Sequence, residues 1–549
     1  MERSMFERDE IEELTKAAVF GRKRAAHGRD GLAVSSHPIV SRVATNVLRD
    51  GGNAVDAILA ASLAQTVVEP HMTTAFGVLS MMHYDAATGA TSYVNGSMNA
   101  PLAGLPGFNV ADLAGGRGVA VPGFWAAWEA SRERFAALSR EALAAPAIEL
   151  ARTGVPIYPF LYGMMFEQIG KLGLYPQGRD IYFRDNALRG PGDTIVNPRL
   201  AETLEKMATG GVDYFYRSAF TEKVVDIVRQ AGGVLTMEDF ERYDVRWMEP
   251  SWGSYRNYKI AGSPPPDNGG THIIEILNLV EQIPLKEWGM PTESADSLYW
   301  LARFCLEVYS EGSKQRDPKS WPLPLETILS KDHAAKRFEL MKMSDPKPIE
   351  APAYPGSNHL TVVDAQGNVA TVLHSVMALP WSNGLIVDGM NLWAGGGHFF
   401  RQMPNPGDRA TCYVAPHIIF GSDGKPVLAA GSPSVGLIQN CVTNALNILD
   451  FGMDIETSVH QPRIGGPSVG AGGLASNTFS LEVDCGSEAM HAGLRKRGLQ
   501  FNLVNPWNFH GGSYEGIHIS ADGIASACGD PRRAGAADAA WTIAARRRP

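Results

Sequence analysis

The chain predicts a mixed α and β fold, on three observations. Helical patterns gather before residue 312, two β-type runs flank a turn cluster just after Ser357, and strand-like segments then dominate except for one helical pattern opening at Pro433. In chain order, an acidic-start helix is expected near Asp9–Phe20 and a strand near Gly31–Ser36, with Ala-rich helices on either side of Gly51-Gly52. Amphipathic helices are expected near Phe124–Leu138, Glu141–Arg152, Thr271–Gln282 and Ser294–Glu311. The stretch Pro322–Pro355, rich in Pro, Lys and charge, reads as a mobile linker. No internal repeat is found.

The segment Tyr354–Ser375 carries the most chemical information. His359–Asp364 and Val369–Val376 are β-branched and apolar, and Ala365–Asn368 is turn-type, so two short strands joined by a tight connection are expected. Ser357 then stands at the mouth of the first strand, directly after Pro355-Gly356. A serine hydroxyl needs a base, and one available design uses the residue's own α-amino group once the preceding peptide bond has been cut. Such an amine titrates near pH 8, roughly 7.7–8.0, and can accept a proton at neutral pH. Gly356 tolerates strained backbone at a scissile bond. The same residues also suit a solvated serine loop ahead of a hairpin, and the local pattern leaves both readings open.

A helix is expected from Pro433, with Ser432 as N-cap, Pro433 at its first position, Leu437, Ile438, Cys441, Val442, Ala445, Leu446 and Leu449 at helical spacing, and Gly452 at its stop. Ser434 and Val435 would then present unpaired N–H groups that favour negative charge. An ordinary packed helix start is the alternative.

Seven segments lie in order along the chain: Gly51–Ala57, Val67–His71, Val119–Gly123, Ser263–Gly270, Ser357–Asn368, Gly431–Pro433 and Gly529–Arg532. In these segments the sequence resembles the γ-glutamyltransferase (γ-glutamyltranspeptidase) family of N-terminal-nucleophile hydrolases over roughly residues 30 to 535. The resemblance implies an α+β fold, specifically a four-layer αββα sandwich. It also implies self-cleavage between Gly356 and Ser357, giving a large subunit 1–356 and a small subunit 357–549 that together form one compact unit. By the family pattern Ser357 is the nucleophile in place of threonine, Ser375 is the second hydroxyl that bonds it, and backbone N–H groups of Ser434 and Val435 hold the oxyanion.

The departures bear on substrate. Pro106 stands where the family places a carboxylate-binding arginine, and Met377 where it places an asparagine. Gly395 and His398 match the polar and acidic residues that grip the α-amino group, and Cys412 and Tyr413 match paired serines. A buried carboxylate or ammonium without partners is costly, so such a pocket should reject a zwitterionic glutamyl head and prefer an uncharged acyl group. The implied activity is that of an amide hydrolase or acyltransferase. A true γ-glutamyl enzyme with a glutathione-type substrate and an uncleaved, inactive binding or structural relative are the alternatives.

Composition excludes other classes. Net charge is −9 with no basic stripe, so nucleic acid is not an expected partner. No apolar run is long enough for a signal peptide or a membrane span, and cytoplasmic residence is expected. Cys305, Cys412, Cys441, Cys485 and Cys528 are widely spaced and read as buried thiols. The 14 histidines show no ligand spacing, so no metal or other cofactor is expected. His510–Glu515 resembles a lipase oxyanion loop without its Gly-x-Ser-x-Gly elbow, and Ser344–Lys347 matches Ser-x-x-Lys without the accompanying β-lactamase motifs.

Overall fold

The computed structural model describes residues 5–312, 315–346, 356–377, 379–393, 395–400, 402–433, 436–469 and 475–541. Two seven-stranded sheets form its centre. One orders Ala536–Ala539, Gly31–Ser35, Ser357–Asp364, Val369–Ser375, Val78–Tyr84, Thr91–Gly96 and Arg246–Met248, every neighbour antiparallel. The other orders Ala25–Gly28, Ala525–Cys528, Glu515–Ile519, Pro426–Gly431, His417–Phe420, Tyr258–Gly262 and Ser251–Tyr255, also antiparallel throughout.

Burial shows how the layers stack. Leu32, Val34, Met82 and Val363 of one sheet share a core with Ala261, Ile418, Ala429 and Ile517 of the other. The outer face of the first sheet is covered by helices Pro38–Arg49, Ala54–Val68, Phe124–Phe135, Arg140–Thr153 and Pro198–Arg217. Helices Gly269–Val280, Ala295–Gly312 and Leu437–Leu449 cover the second. The result is the four-layer αββα sandwich, an α+β architecture in which both sheets are buried on both faces.

The element nearest the site is the Ala54–Val68 helix. Asn53 caps it, accepting from the N–H groups of Val55 and Asp56, while the Asp56 carboxylate accepts from the Asn53 N–H. It is apolar on nearly all sides and almost wholly buried, as a helix sandwiched in a core must be. Its last turn leads to Glu69 and the 70–77 loop, whose Gly77 packs against the Ser375 carbonyl.

Three expectations are corrected. Strands Val78–Tyr84 and Thr91–Gly96 lie in the sheet that carries Ser357–Asp364, although the sequence placed strands mainly after Ser357. The supposed linker contains helices Leu325–Ile328 and Lys331–Lys342, the second capped by Ser330, which accepts from the His333 N–H at 3.1 Å. Ala334 and Met341 on that helix are buried and Arg337 pairs with Glu275 at 2.7 Å; the charged majority masked a helical period. The rest of that stretch, 347–355, lies outside the described residues. Finally, the Leu437–Leu449 helix starts after Gly436, not at Pro433, and the Ser432 hydroxyl donates to the Ser513 carbonyl. The five cysteines are buried and none forms a disulfide, as expected. Among the described residues no helix is long and apolar enough to cross a membrane.

The Ser263–Gly270 motif ties the two sheets together. The Asp267 carboxylate accepts from Ser80 Oγ, Tyr93 OH and Asn95 Nδ2, each at 2.7 Å, and from Ser97 Oγ at 2.6 Å. Asp267→Ala strands four buried donors, and denaturant unfolding should show a loss of about 3–5 kcal/mol; an unchanged midpoint would deny the tie its role.

Candidate active site

Residues Ser357–Asp364 and Val369–Ser375 pair in the register Ser357↔Ser375 through Val363↔Val369. Side chains alternate across a strand, and Leu360 and Val362 enter the core under the helices while Val363 enters the core between the sheets. Ser357, His359 and Thr361 therefore line the inter-sheet face. There His359 Nε2 meets Thr371 Oγ1 at 2.7 Å, and Thr361 Oγ1 donates to the Glu515 carbonyl at 2.9 Å. Gly431 is required opposite, since a Cβ there would fall 2.1 Å from the His359 ring.

The two facing serines form a directed relay. Ser357 Oγ and Ser375 Oγ are 2.7 Å apart, the Met377 N–H donates to Ser375 Oγ at 2.7 Å, and Ser375 Oγ donates to the Gly356 carbonyl. A hydroxyl has one proton and two acceptor sites. With its proton on Gly356, Ser375 must accept both from Met377 and from Ser357, so the Ser357 hydroxyl points its proton at Ser375. Ser375 thus polarises the carbonyl that precedes Ser357 and takes the hydrogen bond of Ser357 itself. Gly356 holds φ of 148°, open to glycine and strained for other residues. Met377, a non-glycine at φ 49°, is the strained residue on the other side.

Behind Ser357 lies a buried polar cluster. Arg533 Nη1 donates to the Ser357 carbonyl at 2.8 Å and to Asn358 Oδ1 at 3.0 Å. Burial raises the pKa of Glu69, which accepts from Gln65 Nε2 at 2.6 Å and from Tyr158 OH at 3.3 Å; Arg533 pulls it the other way. Burial lowers His37 to about 3 and His71 well below its ordinary value, so both are neutral. Burial also pushes the Glu515 carboxyl up to about 8, against hydrogen bonds from Ser513 and Ser36, the latter at 3.1 Å. The 70–77 loop presses close: a Cβ on Gly77 would fall 2.3 Å from the Ser375 carbonyl.

The structure brings Gly356, Ser357, Ser375 and Met377 together. The segment around Pro106 meets the turn carrying Gly395 and His398, since a Cβ on Gly396 would fall 2.9 Å from the Phe108 ring. Pro106 itself is exposed and its carbonyl accepts from Arg117 at 2.8 Å. Gly395 and His398 are buried in the Gly395–Phe400 3₁₀ turn. Cys412 is fixed by its backbone, its N–H donating to the Pro266 carbonyl at 2.9 Å and its carbonyl accepting from Asn268 at 2.8 Å. Tyr413 packs away from the relay, in the second helical core, against His272 and Tyr309. Ser434 and Val435 lie outside the described residues. Sequence reasoning missed Arg533 and Glu515. The doubled arginine directly after Gly529–Arg532 was the available signal for the first, and Glu515, inside an apolar strand end, gave none.

Comparison with known proteins places this geometry. The family model described as gamma-glutamyltranspeptidase matches residues 40–540. The glutathione hydrolase proenzyme of Bacillus subtilis (strain 168) is 28% identical over 482 residues, covering 80% of this chain and 81% of the relative. The acylase ACY 1 proenzyme of Pseudomonas sp. (strain SE83) is 27% identical over 478 residues, covering 80% and 83%. In fold the chain is similar to the crystal structure of cephalosporin acylase from Bacillus halodurans, with TM-score 0.81 at 22% identity, covering 95% of this chain and 97% of that one.

Glu515 gives the site a pH signature. A carboxyl that keeps its proton in the fold to about pH 8 but loses it near 4.5 when unfolded weakens the fold as pH rises between those values. Wild-type stability should fall from pH 5 to pH 8, and Glu515→Gln should flatten that fall and gain about 1–3 kcal/mol at pH 8. Parallel stability curves for the two proteins would show that Glu515 ionises normally.

Proposed function

The chain belongs to the γ-glutamyltranspeptidase family of self-cleaving N-terminal-nucleophile hydrolases and acyltransferases, and we propose that it cuts its own Gly356–Ser357 bond and then acts on amides through Ser357. The observation that carries this reading is the relay in which Ser375 bonds both the Gly356 carbonyl and the Ser357 hydroxyl.

In maturation Ser357 Oγ attacks the Gly356 carbonyl carbon. The C–N bond breaks as an ester forms to Oγ, and the hydroxyl proton passes to the departing nitrogen. That step leaves the new α-amine free, and water then hydrolyses the ester, releasing the Gly356 carboxylate and the Ser357 hydroxyl. The large subunit is 1–356 and the small subunit 357–549. In turnover that amine takes the hydroxyl proton while Oγ attacks a substrate amide, and it returns the proton to the leaving amine. Ser375 orients Oγ, and the backbone N–H groups of Ser434 and Val435 hold the oxyanion by the family pattern. Water or a second amine resolves the acyl-enzyme.

The acyl group lacks the zwitterionic head of γ-glutamyl and is uncharged. Support comes from Pro106, Met377, Gly395, His398, Cys412 and Tyr413, which bring no carboxylate and no arginine to the matching positions, and from the acylases among the relatives. A glutathione-type γ-glutamyl donor is the rival reading, favoured by the relatives named glutathione hydrolase.

Two measurements decide these points. Ser357→Ala should run as one full-length band on a denaturing gel and lose activity by on the order of 10⁴-fold or more; two bands from that variant would rule out self-cleavage here. A neutral acyl anilide should exceed the γ-glutamyl anilide in kcat/KM by about 10²-fold, and the opposite ranking would establish the rival.

A further inference from the structure

Arg533 is wholly buried, and among the described residues no carboxylate lies within ion-pair distance of it. A buried cation without such a partner is costly, so its retention asks for a reason. Its guanidinium donates at 2.8 Å to the carbonyl of Ser357 and at 3.0 Å to Asn358 Oδ1, with a longer contact of 3.5 Å to Ser36 Oγ. Nη2 meets the thioether of Met72 at 2.8 Å, the guanidinium lies over the rings of Phe160 and Phe509 at 5.6 and 5.4 Å, and among the described residues Nε has no hydrogen-bond partner. The bonded carbonyl belongs to the residue whose amine is freed by cleavage.

We propose that Arg533 is a positioning residue that clamps the new N-terminal residue by its carbonyl and, by its charge, keeps the α-amine of Ser357 unprotonated at neutral pH. This rests on the reading of Ser357 as the N-terminal nucleophile. Guanidinium and amine flank a single carbonyl and stand roughly 6 Å apart. At that range a like charge disfavours the protonated amine and lowers its pKa by about one to two pH units. The amine is then a free base where an ordinary terminus is largely protonated.

The groups facing this pair leave Arg533 in control. His37, His71, His359 and His374 are pushed down by burial, to about 3 for His37 and His374, and carry no charge at pH 7. Tyr158 is pushed well up and is neutral. Glu515 keeps its proton to about 8. Asp530 is engaged by Arg463 at 2.6 Å and stands beside Arg532. Arg533 pulls both Glu69 and Glu515 down against burial, and Glu69 accepts from Gln65 and Tyr158.

The test is the acid limb of the pH profile of kcat/KM on a neutral acyl anilide, using mature enzyme whose small fragment starts at Ser357. The wild-type limb should lie about one pH unit or more below the ordinary 7.7–8.0 of a terminal amine. Arg533→Gln should move it up by about one unit and recover activity above pH 9. Arg533→Lys keeps the charge and should leave the limb near the wild-type position whatever happens to the plateau. A lowered plateau with an unmoved limb in Arg533→Gln would reduce the arginine to scaffolding and overturn the proposal. Should that variant not mature, a wild-type limb at pH 8 or above, or a Lys variant shifted to that value, overturns it equally. A small fragment starting elsewhere would instead sink the assignment of Ser357 on which the proposal rests.

Discussion

Everything at this site depends on register between two strands. Ser357 and Ser375 face each other only because Ser357–Asp364 and Val369–Ser375 pair with Val363 opposite Val369. A slip of one residue would turn the serine hydroxyls to opposite faces and break the relay. The register is held from both sides. Gly31–Ser35 pairs along the nucleophile strand and Val78–Tyr84 along its partner, so neither strand is an edge. The Gly77 backbone closes on the Ser375 carbonyl where no side chain would fit.

Around that pair the fold builds an interior in which the titratable neighbours are held neutral and the Arg533 guanidinium is the charge nearest Ser357. Histidines at 37, 71, 359 and 374 are neutral, and Glu515 holds its proton near neutrality. In such surroundings an imidazole that titrates far below neutrality is a poor base, and the proposed mechanism assigns that role to the Ser357 amine instead. One hydroxyl, Ser375, touches both the Gly356 carbonyl and the Ser357 hydroxyl.

Local signals were legible and distant ones were not. The hairpin around Ala365–Asn368 and the helices flanking Gly51-Gly52 were readable because period and turn chemistry are encoded within a few residues. The four-layer stacking was readable through family resemblance, since periodicity by itself gave only a mixture of helix and strand. Ser432 looked like a cap because Pro followed it, yet its proton goes to Ser513, 81 residues away, where no local rule reaches. The Lys331–Lys342 helix was hidden by its charged face, although only one side of it packs. Val78–Tyr84 escaped notice because a strand buried on both faces lacks alternation. Arg533 was unreadable as part of the site because its meaning lies in a bond to a carbonyl 176 residues away.

The most direct measurement is the N-terminal sequence of the smaller fragment of the purified, active protein. The account predicts Ser-Asn-His-Leu, the residues from Ser357 onward. Active protein with residues 356 and 357 still joined, or a fragment beginning at another residue, would contradict it.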